Sequence, residues 1–99
     1  MKIRIERFNE RNQNYEHLLT RSFHVLKLCR ESVEWKMIRY LCNPKKGAAL
    51  SPFSPIQTSW DKDGRGGIIT QYSYSHPELG PVELNRLRFR ILKGRTVTE

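Results

Sequence analysis

The segment RLRFRI at residues 86–91 alternates arginine with a large apolar residue at every step. A β-strand points successive side chains to opposite faces, so this alternation predicts a strand with one apolar face and one cationic face. The residues expected in the core are Leu87, Phe89 and Ile91. The residues expected in a row on the opposite face are Arg86, Arg88 and Arg90. Guanidinium groups are planar donors that suit phosphate, so the row predicts a surface for a polyanion.

The strand around this segment is expected to run from Val82 to Lys93. Its period of two slips between Leu84 and Leu87, which predicts a bulge or bend near Asn85. Lys93 and Arg95 extend the basic character towards a C-terminal tail, residues 94–99, that we expect to be frayed.

Two further strands are predicted upstream of this one. Ile56–Trp60 and Ile68–Ser75 flank the glycine-rich segment 61–67, whose Asp-Gly step suits a turn with positive φ. Ile68, Tyr72 and Tyr74 are spaced by even numbers of residues and so lie on one face of the predicted strand. We expect that face to pack against the core. On the arginine face, the two tyrosines would instead offer stacking surfaces to bases.

The N-terminal half predicts one short strand followed by helix. Lys2–Phe8 alternates isoleucine with charged residues, and the polar segment Asn9–Asn14 follows as a break. Tyr15–Cys42 contains no glycine or proline and gathers its apolar residues on one side of a helical wheel. We expect two helices separated near Arg30–Ser32, or one long broken helix, ending at Asn43-Pro44.

These elements predict an α+β fold in a single domain, residues 1–99. In this fold, a short N-terminal strand and two helices precede a three-stranded antiparallel β-meander that packs on the helices.

Charge is the strongest compositional signal. Lysine and arginine number 18 against 10 acidic residues, a formal net charge of +8 at pH 7. This excess favours an anionic partner: RNA, DNA, an anionic membrane surface or an acidic protein. The chain has no apolar run long enough for a transmembrane helix and no signal-peptide core, so we expect an intracellular protein, cytoplasmic or nuclear.

Motifs for metals, cofactors and catalysis are absent from the sequence. Cys29 and Cys42 are the two cysteines, and their spacing from His17 and His24 does not complete a zinc site. The chain also contains no phosphate-binding loop of the G-x-x-x-x-G-K-[ST] kind. We therefore expect no cofactor, no metal and no catalytic residue.

The main functional hypothesis is a small, non-enzymatic nucleic-acid-binding protein, such as an accessory factor of a virus, phage or mobile element. It would contact phosphates through the arginine row and the other basic segments. The predicted binding residues are Arg4, Lys45, Lys46, Arg65, Arg86, Arg88, Arg90 and Lys93.

The second hypothesis is an assembly or matrix-like adaptor that uses the same basic face on an anionic membrane or an acidic protein partner. Aromatic residues could also provide a homodimer contact. The aromatic residues considered for this contact are Trp35, Phe53 and Trp60.

The predicted element order β-α-α-β-β-β is similar to that of the small basic ribonuclease toxins of the RelE/ParE group. This resemblance is one of element order. It implies a third hypothesis, in which arginines of the last strands hold RNA and stabilise phosphoryl charge. His76 or Tyr72 would then carry protons.

Overall fold

Five strands and one helix form the described part of the chain, residues 1–75, 77–94 and 97, in this computed structural model. In chain order they are β1 (Lys2–Asn9), β2 (Asn14–Ser22), α1 (Arg30–Cys42), β3 (Ile56–Trp60), β4 (Gly66–Ser73) and β5 (Val82–Lys93).

The five strands form one antiparallel sheet in the order β2-β1-β5-β4-β3. β5 is the central strand, paired with β1 on one edge and with β4 on the other. Its apolar side chains Leu87, Phe89 and Ile91 are buried, as the alternation predicts. The arginine-bearing strand therefore joins the β1–β2 hairpin to the β3–β4 hairpin.

Helix α1 covers one face of this sheet. Val33, Met37 and Leu41, spaced four apart, are fully buried together with Ile3 and Ile5 of β1. The opposite face of the sheet is not covered by any helix or strand of the described residues. Among those residues, no helix has the length and apolar character needed to cross a membrane.

The prediction of helix from Tyr15 onward is wrong, because residues 14–22 form strand β2. The polar break turns the chain back on itself as a hairpin. Asn9 Oδ1 accepts a hydrogen bond from the Arg11 amide at 3.0 Å, and Gln13 adopts φ 58. β2 then pairs along the length of β1, which satisfies the backbone groups on that edge of β1.

The predicted two helices are replaced by the single helix α1, whose N-cap is Cys29. Its C-cap is Asn43, in agreement with the predicted end at Asn43-Pro44.

The expected three-stranded meander is also corrected, since β5 pairs with β1 and the N-terminal hairpin extends the sheet to five strands. Trp35, which lies off the predicted apolar stripe, is 57% exposed on the outer side of α1.

Within the meander, β3 and β5 begin and end at the predicted residues. The predicted bulge is confirmed, since Gln71 pairs with Asn85 while Tyr72 pairs with Glu83, leaving Leu84 as the extra residue. Ile68 lies opposite Arg88, so its expected place on the core face is wrong.

The C-terminal tail falls mostly outside the described residues. Arg95, which was expected to extend the basic strand, is among those not described. Val97 is described, and it is buried in the core cluster at 3% exposure.

Candidate functional site

The uncovered side of the sheet brings basic and aromatic side chains from three neighbouring strands together. We call this surface the arginine face; it consists of Arg4, Glu6 and Phe8 of β1, Tyr15 of β2, and Arg86, Arg88 and Arg90 of β5. The register sets their contacts, because Arg4 pairs with Arg90 and Glu6 pairs with Arg88 across β1 and β5.

Arg88 lies at the centre of the arginine face. Its Nε and Nη2 atoms both lie 2.9 Å from Oε1 of Glu6, whose side chain is only 15% exposed. The Arg88 guanidinium lies 4.2 Å from the ring centroid of Tyr15 on β2. Arg88 is therefore held by a carboxylate and by the face of an aromatic ring.

Arg86 has the same two kinds of partner. Its Nε donates to Glu83 Oε1 at 2.9 Å, and this hydrogen bond is the main cause of a raised pKa of Arg86. Its guanidinium lies 4.7 Å from the ring centroid of Phe8. Phe8 packs edge-on against Tyr15 at 5.2 Å between ring centroids, so one aromatic pair supports both arginines.

Arg90 extends the row towards the β3–β4 turn. Its Nη2 lies 3.0 Å from Asp63 Oδ2, and its Nη1 lies 3.8 Å from Asp61 Oδ2. The pKa of Asp63 is lowered, first by the hydrogen bond from the Arg65 amide and then by Arg90. Gly66 lets β4 approach β5 closely here, because a Cβ there would lie 2.5 Å from the Phe89 carbonyl oxygen and 3.1 Å from Cδ of Arg90.

Four of the other predicted binding residues lie outside this row. Arg65 donates to the carbonyl oxygens of Gly94 at 3.0 Å and Ile91 at 3.2 Å, so its guanidinium fastens the turn to the end of β5. Lys93 ends β5 opposite Lys2. Lys45 and Lys46 follow α1, on the side of the sheet that the helix covers. Of the predicted residues outside β5, Arg4 lies beside the row. Its Nη2 atom lies 3.7 Å from Oε2 of Glu6, the residue that also binds Arg88.

The arginine face is close to electrically neutral. Its arginines all have a carboxylate within 4.0 Å, supplied by Glu6, Glu83, Asp61 and Asp63. The arginine side chains of these pairs are partly exposed, and ion pairs of such groups contribute roughly 0–1 kcal/mol each, so a phosphate can replace a carboxylate as the partner at low cost. The face can therefore bind an anion, although it offers little long-range attraction.

Of the two residues considered as proton carriers, Tyr72 lies on β4 opposite Glu83 of β5, and His76 lies outside the described residues. The observed order β-β-α-β-β-β differs from the order on which the resemblance to the RelE/ParE toxins depends. No group of three or more potential metal ligands occurs in the described part of the chain.

Three important residues of the arginine face were not predicted as site residues: Glu6, Phe8 and Tyr15. The alternation of Lys2–Phe8 carries a usable signal for the first two, because it places them on the same side of the strand as Arg4. Tyr15 carries no such signal, since its place beside Arg88 depends on the pairing of β2 with β1.

No protein-family model, no curated protein and no solved structure matches this chain.

Proposed function

We propose that the protein is a small, non-enzymatic nucleic-acid-binding protein that contacts RNA or DNA phosphates through the arginine face. The observation that carries the proposal is the row Arg86, Arg88 and Arg90 on a sheet face that no described helix or strand covers. A rigid sheet holds such donors at a fixed spacing, which reduces the entropy lost when an extended polyanion binds.

The aromatic pair beneath the arginines supports a single strand as the preferred form. The guanidinium carbons of Arg86 and Arg88 lie over the rings of Phe8 and Tyr15, respectively. The side of a guanidinium away from the ring can contact a nucleic-acid base, which is accessible in a single strand and hidden in a duplex. We therefore expect single-stranded RNA or DNA to bind more tightly than a duplex of the same length.

On the arginine face, phosphates replace carboxylates as the partners of the arginines. Glu6 releases Arg4 and Arg88 when a phosphate takes its place, and the exposed Asp61 and Asp63 release Arg90. The net charge of +8 supplies the attraction that brings a polyanion to the protein. An intracellular location, cytoplasmic or nuclear, belongs to the same proposal.

The test is a titration of labelled single-stranded RNA, single-stranded DNA and duplex at two salt concentrations. The double variant Arg88→Gln/Arg90→Gln is expected to bind more weakly, with a salt slope reduced by about 1.4, because each single-strand phosphate contact contributes about 0.7. The matched control Arg11→Gln/Lys62→Gln removes the same net charge from two turns. It is expected to retain most of the affinity.

Two results would contradict the proposal. The first is no binding to any of the three nucleic acids even at low salt. The second is an equal loss of affinity in the arginine-face variant and the control, which would show that net charge alone is responsible. Sedimentation with anionic vesicles in the absence of nucleic-acid binding would instead favour the adaptor hypothesis.

A further inference from the structure

A second cationic region lies on the helix side of the sheet. A groove of about 290 Å³ is formed by the end of β2, the outer side of α1 and the loop that follows α1. We call it the basic groove; its basic lining residues are Arg21, His24, Lys36, Arg39 and Lys46. Its lining includes no carboxylate, in contrast to the arginine face.

The two arginines of the basic groove are held by aromatic rings. Arg21 lies 4.4 Å from the ring centroid of Tyr40, which itself packs edge-on against the buried Phe23. Arg39 lies 4.9 Å from the ring centroid of Trp35. A cation–π contact leaves the guanidinium N–H groups that point away from the ring available. In the described part of the chain, neither arginine has a carboxylate within 4.0 Å, so these donors can bind an added anion.

The loop after α1 fixes the position of Lys46. The Lys46 amide donates to the Asn43 carbonyl at 3.1 Å, and the Gly47 amide donates to the Tyr40 carbonyl at 3.2 Å. Gly47 packs so closely that a Cβ would lie 2.9 Å from the Cα of Leu41. The same loop covers the negative end of α1, because the Leu41 carbonyl accepts from the Ala49 and Leu50 amides. This limits the repulsion between the helix end and an anion.

We propose that the basic groove binds a phosphate group, as a site separate from the arginine face. Converging cationic donors without a competing carboxylate are the arrangement that a multiply charged oxyanion requires. The phosphate belongs either to a free polyphosphate or to a nucleic-acid backbone, and both present the same oxygens. The proposal does not depend on the function of the arginine face.

Pyrophosphate is the first probe, titrated into the full chain at low salt and followed by calorimetry and by the NMR shifts of backbone amides. We expect the double variant Arg21→Gln/Lys46→Gln to weaken pyrophosphate binding roughly tenfold. Arg11→Gln/Lys62→Gln, which removes one arginine and one lysine elsewhere, is expected to change it less than about twofold. The variant Lys36→Gln/Arg39→Gln replaces two exposed residues of α1, so it tests the groove without disturbing the core.

A single-stranded 12-mer oligonucleotide is the second probe, and it distinguishes the two sources of phosphate. Weaker oligonucleotide binding in the groove variants assigns the groove to backbone phosphates. Loss of pyrophosphate binding with unchanged oligonucleotide binding assigns it to a free polyphosphate. The proposal is overturned if neither probe is affected by the groove variants, or if the control variant is affected equally.

The arginine-face variant Arg88→Gln/Arg90→Gln separates this proposal from the previous one. It is expected to retain pyrophosphate binding in the basic groove. If it loses oligonucleotide affinity while the groove variants bind both probes as well as the unchanged protein does, the proposed function stands and the groove proposal fails.

Discussion

Replacing Glu6 by glutamine removes the carboxylate that Arg4 and Arg88 share on the arginine face. Glutamine keeps the size of the side chain and an oxygen that can accept from Arg88. The negative charge, which lies 2.9 Å from Arg88 and 3.7 Å from Arg4, is lost. If phosphates bind at these arginines, Glu6→Gln should strengthen nucleic-acid binding while slightly weakening the fold.

The expected gain in nucleic-acid affinity follows from Coulomb's law. A phosphate that takes the place of Glu6 at Arg88 would lie about 5 Å from the displaced carboxylate, where two like charges in water repel by about 0.8 kcal/mol. Removing that repulsion tightens binding roughly fourfold. The loss of two partly exposed ion pairs lowers the free energy of unfolding by up to about 2 kcal/mol. Affinity and stability therefore change in opposite directions, which a general loss of structure could not produce.

The assay is fluorescence anisotropy of a labelled single-stranded 12-mer, with thermal unfolding measured in parallel. The gain should be largest near about 50 mM salt and fade near about 500 mM, where charges are strongly screened. Glu31→Gln, exposed in the first turn of α1 on the other side of the sheet, makes the same charge change away from the arginine row. Unchanged or weaker binding by Glu6→Gln, or an equal gain by Glu31→Gln, would refute the reasoning.

Three further predictions concern the scaffold. Gln71 is fully buried and hydrogen-bonds the Ser51 backbone and Asn85, so Gln71→Ala should lower the free energy of unfolding by about 3 kcal/mol in chemical denaturation. Wild-type stability in Gln71→Ala would show that this network contributes nothing. Gly67→Ala should cost about 3 kcal/mol, because its Cβ would overlap the backbone carbonyl oxygen of Ser59 and lie 3.1 Å from the Phe89 ring, and an unchanged melting temperature would contradict this. The lowered pKa of Asp63 stabilises the fold above its ordinary pKa of 3.8 and ceases to do so as the pH falls through the lower folded value. Asp63→Asn should therefore be less stable than wild type at neutral pH and equal to it in strong acid, and a difference that persists in acid would exclude this linkage.

Only part of the fold follows from local patterns. The alternation at residues 86–91 predicts β5 and its buried face, and the slip after Leu84 predicts the bulge. The end of α1 also agrees with Asn43-Pro44, because proline removes a backbone donor. Each of these features depends on a repeat or a steric restriction within a few residues, so the local sequence is sufficient to predict it.

Residues 14–22 are a segment whose structure local patterns do not predict. Tyr15, Leu18 and Leu19 fit a helical wheel, yet the segment forms β2 because the exposed edge of β1 lies beside it once the hairpin turns. Backbone pairing over eight residues of β1 outweighs a weak helical preference. The position of Tyr15 beneath Arg88 follows from that pairing and from no local signal.

By itself, the sequence determined that three arginines share one side of a strand and that the chain has a large positive charge. The tertiary structure decided how that charge is distributed. Strand pairing brings Glu6 to Arg88, and the β3–β4 turn brings Asp63 to Arg90, so the arginine face is nearly neutral. Arg21 and Lys46, 25 positions apart in the chain, meet in a groove without carboxylates. Charges act through space, so the partners of each charge depend on the folded arrangement of the strands and the helix.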